Sequence, residues 1–145
     1  MATIKIKVED YSGRPGDSLG QVLQDLFRIS SMSIMSPAQG WVPALDVYMT
    51  QEDIYIVADI SGVEVDSLYL AVKDRLLHLS GHRPQPRNEG EVHFYQMEIN
   101  YGRFERIIRL PCEVEVDQAD ASYENGLLIV KIPRRIQKKI KIEIS

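Results

Sequence analysis

Cysteine is nearly absent: Cys112 is the only one in a chain of 145 residues. An internal disulfide and a metal site built from several cysteines are therefore excluded. The chain also lacks an apolar run near the ~20 residues that cross a bilayer. Its first residues include Lys5 and Lys7, but the apolar stretch of a secretory leader does not follow them. We expect a protein that stays in the reducing cytosol.

Catalytic motifs are missing as well. The chain has no glycine-rich phosphate loop and no Gly-x-Ser-x-Gly elbow, and its serines and aspartates show no spacing diagnostic of a triad. His78 and His82 lie four residues apart, but Gly81 bends the chain between them and no third ligand completes a metal site. We expect both histidines at the surface or in a turn. The sequence predicts neither an enzyme nor a protein with a cofactor or a bound metal.

Charge is unevenly distributed along the chain. The whole chain carries −4, yet residues 134–145 hold five basic residues and one acidic residue. This basic tail and the acidic body should attract each other, within one copy or between copies. Arg134 and Arg135, with Lys138 and Lys139, have no base-stacking aromatic neighbour. We interpret this cluster as a solvated hinge rather than a nucleic-acid site.

A turn signal stands near the end of the chain. Asn125-Gly126 separates two runs of strand-forming residues, and both residues tolerate the positive φ that a type I′ turn requires. In the second run, Leu128, Val130 and Ile132 share one face because side chains alternate along a strand. The sequence therefore predicts a hairpin with an apolar inner face.

Short alternating runs separated by turn signals fill residues 43–133, and no helical segment longer than a turn interrupts them. Runs typical of strands lie at residues 45–50, 54–60, 68–72, 77–81, 92–97 and 104–110. Without helices, the sheets must be antiparallel and must bury their apolar faces against each other. The predicted fold is an all-β, immunoglobulin-like antiparallel β-sandwich. Residues 92–97 follow a long polar loop and are free to pair elsewhere.

Residues 1–42 differ from this pattern and are interpreted as a partly helical N-terminal arm. Residues 4–8 alternate between aliphatic side chains and lysine, which predicts a short strand. A helical period follows, with apolar positions at Leu19, Val22, Leu23, Leu26 and Phe27. This helix packs either on its own domain, or between subunits or on other proteins. Residues 30–43 are interpreted as a mobile linker that carries Met32, Ile34, Met35 and Trp41.

Four motifs follow one another along the sandwich region. They are Asp59-Ile60-Ser61-Gly62-Val63, Leu77-x-Leu79-x-Gly81, Gly102-Arg103-Phe104-Glu105-Arg106 before Leu110-Pro111, and Ala121-x4-Gly126-Leu127-Leu128 before Pro133. In this order and spacing they resemble the signatures of the small heat-shock protein (α-crystallin) family of bacterial and plant type. Ser61 stands where the family usually has proline, which puts the rigidity of that turn in question.

The resemblance implies a strand-swapped dimer and a docking tail. Residues 92–97 of one copy would lie against the partner's sheet near Val47, with Val92, Phe94 and Tyr95 in the contact. Arg106 would lie at the same contact, paired with an acidic group. Residues 134–145 would form a C-terminal extension whose Ile-x-Ile motif docks on a neighbouring dimer. The motif occurs twice, in Ile140, Ile142 and Ile144.

The tail supports the same conclusion from its own chemistry. Isoleucine at every second position gives one continuous apolar face, which is typical of a strand that lacks a sheet. Such a segment suits β-strand addition to an exposed edge. The alternative is a last strand of its own domain. Our candidates for the receiving groove, on the two strands that the family uses, are Leu68, Leu70, Val72, Ala121 and Tyr123.

Together these features predict an ATP-independent chaperone, a holdase, that works as a homo-oligomer of strand-swapped dimers. Its partners would be partly unfolded client proteins and further copies of itself, with no nucleic acid and no membrane span. The arm would bind clients through Leu19, Val22, Leu23, Leu26, Phe27, Met32, Ile34, Met35 and Trp41. The alternative function is a monomeric adaptor of the co-chaperone sandwich type that binds one folded partner. Neither the looped strand nor the tail would be needed for that function.

Overall fold

The computed structural model describes residues 3–10 and 40–136, and within these ranges nine strands form two sheets. The strands are β1 (Ile4–Ile6), β2 (Glu9–Asp10), β3 (Leu45–Met49), β4 (Asp53–Asp59), β5 (Tyr69–Lys73), β6 (Leu76–Arg83), β7 (Gly102–Arg109), β8 (Asp120–Glu124) and β9 (Leu127–Pro133). Short 3-10 helices occupy Val65–Ser67 and Val116–Gln118. The sheet orders are β1-β8-β9-β4-β3 and β2-β5-β6-β7. Every pairing is antiparallel except that of β2 with β5. The predicted β-sandwich is confirmed.

Several predicted features lie outside the described residues. They are the helix positions Leu19, Val22, Leu23, Leu26 and Phe27, the linker residues Met32, Ile34 and Met35, and the tail residues Ile140, Ile142 and Ile144.

The predicted hairpin is present as β8 and β9. Asn125 and Gly126 have φ angles of 54° and 79°, the left-handed conformation that this turn needs. Leu128, Val130 and Ile132 are fully buried, while Leu127, Ile129 and Lys131 between them are exposed. The hairpin therefore contributes one face to the core, as the alternation predicts.

The core lies between the two sheets because each strand turns alternate apolar side chains inward. Ile54 and Ile56 of β4 belong to the same buried cluster as Leu77 and Leu79 of β6, and all four are at most 1% exposed. Phe104 of β7 joins the same cluster. A single apolar layer thus holds both sheets together, which is the usual arrangement of a sandwich.

Strand β6 differs from its prediction in two respects. It does not stop at Gly81 but continues to Arg83, because Gly81 makes room for a ring rather than ending the strand. A Cβ at this position would lie 2.7 Å from Cε1 of Phe104. His78 is also buried rather than exposed, and its Nε2 lies 3.0 Å from a carboxylate oxygen of Glu105. The surface assignment of His78 was therefore wrong.

Candidate functional site

The sandwich has two sides at which its sheets end. On one side lie β5 and β8, which would be edge strands without residues 3–10. We call this the groove side. On the opposite side lie β3 and β7, the last strands of the two sheets, and we call this the β3 side. The residues predicted to mediate assembly fall on these two sides.

The predicted groove residues all lie on or next to β5 and β8. Three of them belong to the core and are at most 2% exposed, namely Leu70, Val72 and Ala121. Leu68 and Tyr123 are partly buried and pack against that core. The Tyr123 hydroxyl donates a hydrogen bond of 2.8 Å to the carbonyl of Ile60, which fixes the ring in place. The receiving role of these residues stays a prediction.

The chain's own first residues occupy the groove side. Strand β1 pairs with β8, so that Ile4 lies opposite Tyr123 and Ile6 lies opposite Ala121. Ile6 and Val8 are partly buried and pack against the core. Strand β2 continues the segment along β5. Residues 3–10 therefore lie on the sandwich, although the sequence pattern assigned them to the arm.

Two polar side-chain contacts of this segment lie near the solvent. Thr3 donates a hydrogen bond of 2.9 Å from its hydroxyl to Glu124, and Lys5 forms an ion pair of 3.1 Å with Asp120. Exposed pairs of this kind stabilise by only ~0–1 kcal/mol. The segment is therefore held mainly by its backbone pairing and by its two inward aliphatic side chains.

On the β3 side, an open strand edge and a long exposed loop occur together. Strand β3 is hydrogen-bonded to β4 alone within the described part of the chain. Val47, Tyr48 and Met49 of β3 are 38–50% exposed. Residues 84–101, which connect β6 to β7, contain no strand. Their large apolar side chains are exposed to solvent, namely Val92, Phe94, Tyr95, Met97 and Ile99.

Arg106 lies on β7, and its side chain reaches the segment that precedes β3. Its Nη1 donates a hydrogen bond of 2.8 Å to the carbonyl of Pro43, two residues before β3 begins. The side chain thus ties β7 to the segment that leads into β3. Its predicted acidic partner at a dimer contact stays a prediction.

Trp41 packs on the sandwich. Its indole Nε1 donates a hydrogen bond of 3.0 Å to the carbonyl of Gly102, and its ring meets Phe104 edge to face at 5.1 Å. The guanidinium of Arg83 lies 3.7 Å above the ring. Trp41 is therefore partly buried against β7, which differs from its expected place in a mobile client-binding linker.

The family model described as Hsp20/alpha crystallin family matches residues 46–145, well over half of the chain. The chain belongs to the small heat-shock protein family. Its relatives include a small heat shock protein of Rickettsia felis, 29% identical over 71% of this chain and 64% of that protein. A probable 15 kDa heat shock protein of Leptospira interrogans is 32% identical over 70% of this chain and 77% of its own length. These matches support a chaperone role.

Solved structures agree with this small heat-shock protein assignment. A small heat-shock protein from Xylella fastidiosa superimposes with a TM-score of 0.62 at 26% identity, covering 73% of this chain and 98% of that one. That protein has a distinct high order structure. The similarity confirms the predicted fold class.

The C-terminal extension of this small heat-shock protein begins with anchored residues. Arg134 donates hydrogen bonds from Nη1 to the carbonyls of Thr50 and Gln51, at 3.1 and 3.2 Å. Arg135 donates from Nε to Glu115 at 3.1 Å, and this hydrogen bond raises the pKa of Arg135. Both arginines thus contact the sandwich, although the Arg135 side chain stays half exposed. Lys138 and Lys139 lie outside the described residues, so the interpretation of the whole cluster as a solvated hinge stays a prediction.

Two further findings concern the part of the chain that the structure describes. No helix there is long and apolar enough to cross a membrane. No group of three or more histidine, cysteine, aspartate or glutamate side chains there is placed to hold a metal ion.

Proposed function

We propose that this protein is an ATP-independent holdase that keeps partly unfolded proteins soluble, and that it works as a homo-oligomer of strand-swapped dimers. The observation that carries the proposal is that one molecule has both an open strand edge and an exposed apolar segment. Within the described residues, strand β3 has an open edge, and residues 84–101 carry apolar side chains that are exposed to solvent. The edge of β3 needs an added strand, and the apolar segment needs a surface that covers it.

The dimer follows from the physics of an open edge. The N–H and C=O groups on the open edge of β3 can pair with the backbone of an added strand, and residues 92–97 of a second copy would supply that strand. Val92 and Phe94 share one face of such a strand, while Tyr95 and Met97 share the other. In a swapped dimer, each loop would cover Val47 and its neighbours on the partner. Exposed apolar area on both copies would then be removed from water.

Client binding requires additional apolar side chains, and the sequence has them between residues 11 and 39. A molecule that binds exposed apolar surface before clients find one another competes with aggregation by mass action. Such a mechanism needs no nucleotide. The chaperone role of the family supports this proposal.

Heat-induced light scattering of an unrelated, aggregating enzyme tests the holdase function. We expect the full chain to suppress scattering at near-stoichiometric subunit ratios, equally with and without ATP. The matched variant replaces residues 11–39 by a Gly-Ser linker of equal length, which keeps both residues 3–10 and Trp41. This variant should protect poorly. If it protects as well as the full chain, clients bind the sandwich itself; if neither protects, the protein is not a holdase.

The mass in solution tests the assembly separately. At micromolar concentration we expect species well above the 16.6 kDa of one chain. A single species of that mass would contradict the oligomer and favour the monomeric adaptor.

A further inference from the structure

The groove side of the sandwich is closed by a strap, which we define as residues 3–10. The strap crosses from one sheet to the other, because β1 pairs with β8 and β2 pairs with β5. Ile6 and Val8 pack against the core on the way. One short segment thus occupies edges of both sheets at the place where the predicted groove residues lie.

The strap and the C-terminal tail have nearly the same sequence pattern. The strap contains Ile4-Lys5-Ile6-Lys7-Val8, and the tail contains Ile140-Lys141-Ile142-Glu143-Ile144. In an extended conformation, either pattern would place three branched aliphatic side chains on one face and charged side chains on the other. A groove that accepts the first pattern has the spacing, the apolar lining and the backbone groups to accept the second.

Both segments cannot occupy this place at once. Each N–H and C=O group along the outer edge of β8 takes part in one ladder, and β1 already uses it opposite Ala121, Ser122 and Tyr123. A tail that docks there must displace the strap. The side chains Ile6 and Val8 would also have to leave the positions that tail isoleucines would fill.

We propose that the strap is an internal competitor for the tail-receiving groove, and that the tail of a second copy displaces it when dimers are linked. This inference rests on the assembly in the proposed function, and it adds the contact that regulates that assembly. Because the strap is tethered to the same chain, it acts at a high effective concentration. The apparent affinity for a tail is then lowered in proportion to the fraction of grooves that are open.

The strap has the features of a displaceable segment. Its paired strands contain three and two residues, far fewer than the seven or eight of β4, β6 and β7. Ile4 is 40% exposed, and the ion pairs of Lys5 and Lys7 are exposed. Lys5 faces Asp120, and a tail bound in the same direction would offer Lys141 to that carboxylate. The exchange would therefore preserve the main charge contact.

A disulfide lock tests the competition directly. Lys5 and Ser122 are directly opposite in the β1–β8 ladder, where Cα separations suit a disulfide. The full chain carries Lys5→Cys and Ser122→Cys, with Cys112→Ser to remove the native thiol. Its own tail is silenced by alanine at Ile140, Ile142 and Ile144. The probe is a fluorescent peptide with the sequence of residues 134–145, and binding is measured by fluorescence anisotropy.

We expect the oxidised protein to bind this peptide at least tenfold more weakly than the reduced protein. In the same tail-silenced chain without the lock, Ile6→Asp with Val8→Asp should eject the strap and strengthen binding at least tenfold. Lys5→Ala with Lys7→Ala is the matched control on the outward face, and it should change the affinity by less than threefold. Mass under non-reducing conditions verifies that the lock lies within one chain.

Equal binding to the oxidised and reduced forms would overturn the inference, because strap and tail would then use different places. Absence of binding to every form, including the variant with the ejected strap, would overturn it as well. Neither result bears on client protection, since both chains in the scattering assay keep the native strap and the native tail. The proposed holdase and the strap mechanism can thus be rejected independently.

Discussion

Trp41 offers the sharpest test of where the folded domain begins. The sequence pattern places it in a mobile client-binding linker, whereas the structure packs it on β7. Replacement by alanine removes an edge-to-face ring pair, a cation–π contact with Arg83 and a hydrogen bond to Gly102. These contribute ~0.5–1.5, ~0.5–1 and ~1 kcal/mol respectively, so we expect Trp41→Ala to lower the free energy of unfolding by about 2–3.5 kcal/mol.

Urea unfolding followed by far-UV circular dichroism measures this change. All variants are compared at one protein concentration, because subunit association adds to apparent stability. Trp41→Phe is the matched variant: it keeps a ring against Phe104 but loses the indole N–H, so its cost should be only ~1 kcal/mol. The slope of the free energy against urea should stay unchanged.

A cost below ~0.5 kcal/mol for Trp41→Ala, the range of ordinary surface substitutions, would refute the packing argument. Fluorescence gives a second readout, because Trp41 is the only tryptophan. Its emission in the folded protein should be blue-shifted and partly shielded from acrylamide, and should change together with the circular dichroism on unfolding. If the folded protein instead emits like free tryptophan, Trp41 is not packed on β7 and belongs to the N-terminal arm.

Three further predictions concern the core and the two kinds of assembly contact. Leu128→Ala should lower the free energy of unfolding by ~2–5 kcal/mol, whereas Leu127→Ala, on the exposed face of the same strand, should cost ~0.5 kcal/mol; equal costs in urea unfolding would contradict the assigned register. Replacing residues 85–100 by a short turn should leave a folded sandwich that no longer dimerises, and a dimer that survives in light scattering would show pairing through another surface. Ile140→Ala with Ile142→Ala should reduce the assembly toward dimers; if only Ile142→Ala with Ile144→Ala does so, the second register docks, and if neither pair changes the mass, the tail does not link dimers.

The sequence predicts local features of the fold well, namely turns, strands and the faces that they bury. The β8–β9 hairpin is specified within a few residues, since Asn125-Gly126 sets the turn and the alternation of Leu128, Val130 and Ile132 sets the buried face. The strands around Ile54 and Leu77 follow in the same way. Each of these features depends on side-chain periodicity and turn chemistry, which are readable without knowing the rest of the fold.

Contacts between distant parts of the chain cannot be predicted from such local patterns. The pattern of residues 4–8 predicts a strand, but nothing in it says that Ile6 lies opposite Ala121. Its likeness to the tail was the one available signal. Likewise, alternation puts His78 on the face opposite Leu77, yet it cannot tell whether that face is covered, and His78 proves to be buried. Periodicity assigns a face, whereas burial depends on what packs there.

Strand length distinguishes the two sides of the sandwich as sites of assembly. Any open edge invites pairing with another chain, so a soluble protein must cover it or keep it short. On the groove side, the cover is divided between two separate strands, β1 with three residues and β2 with two, and each of these short ladders is easily removed. On the β3 side, β3 offers one continuous edge of five residues, next to a loop rich in exposed apolar side chains. The longer, more apolar contact is suited to a lasting dimer, and the shorter one to a link that forms and breaks.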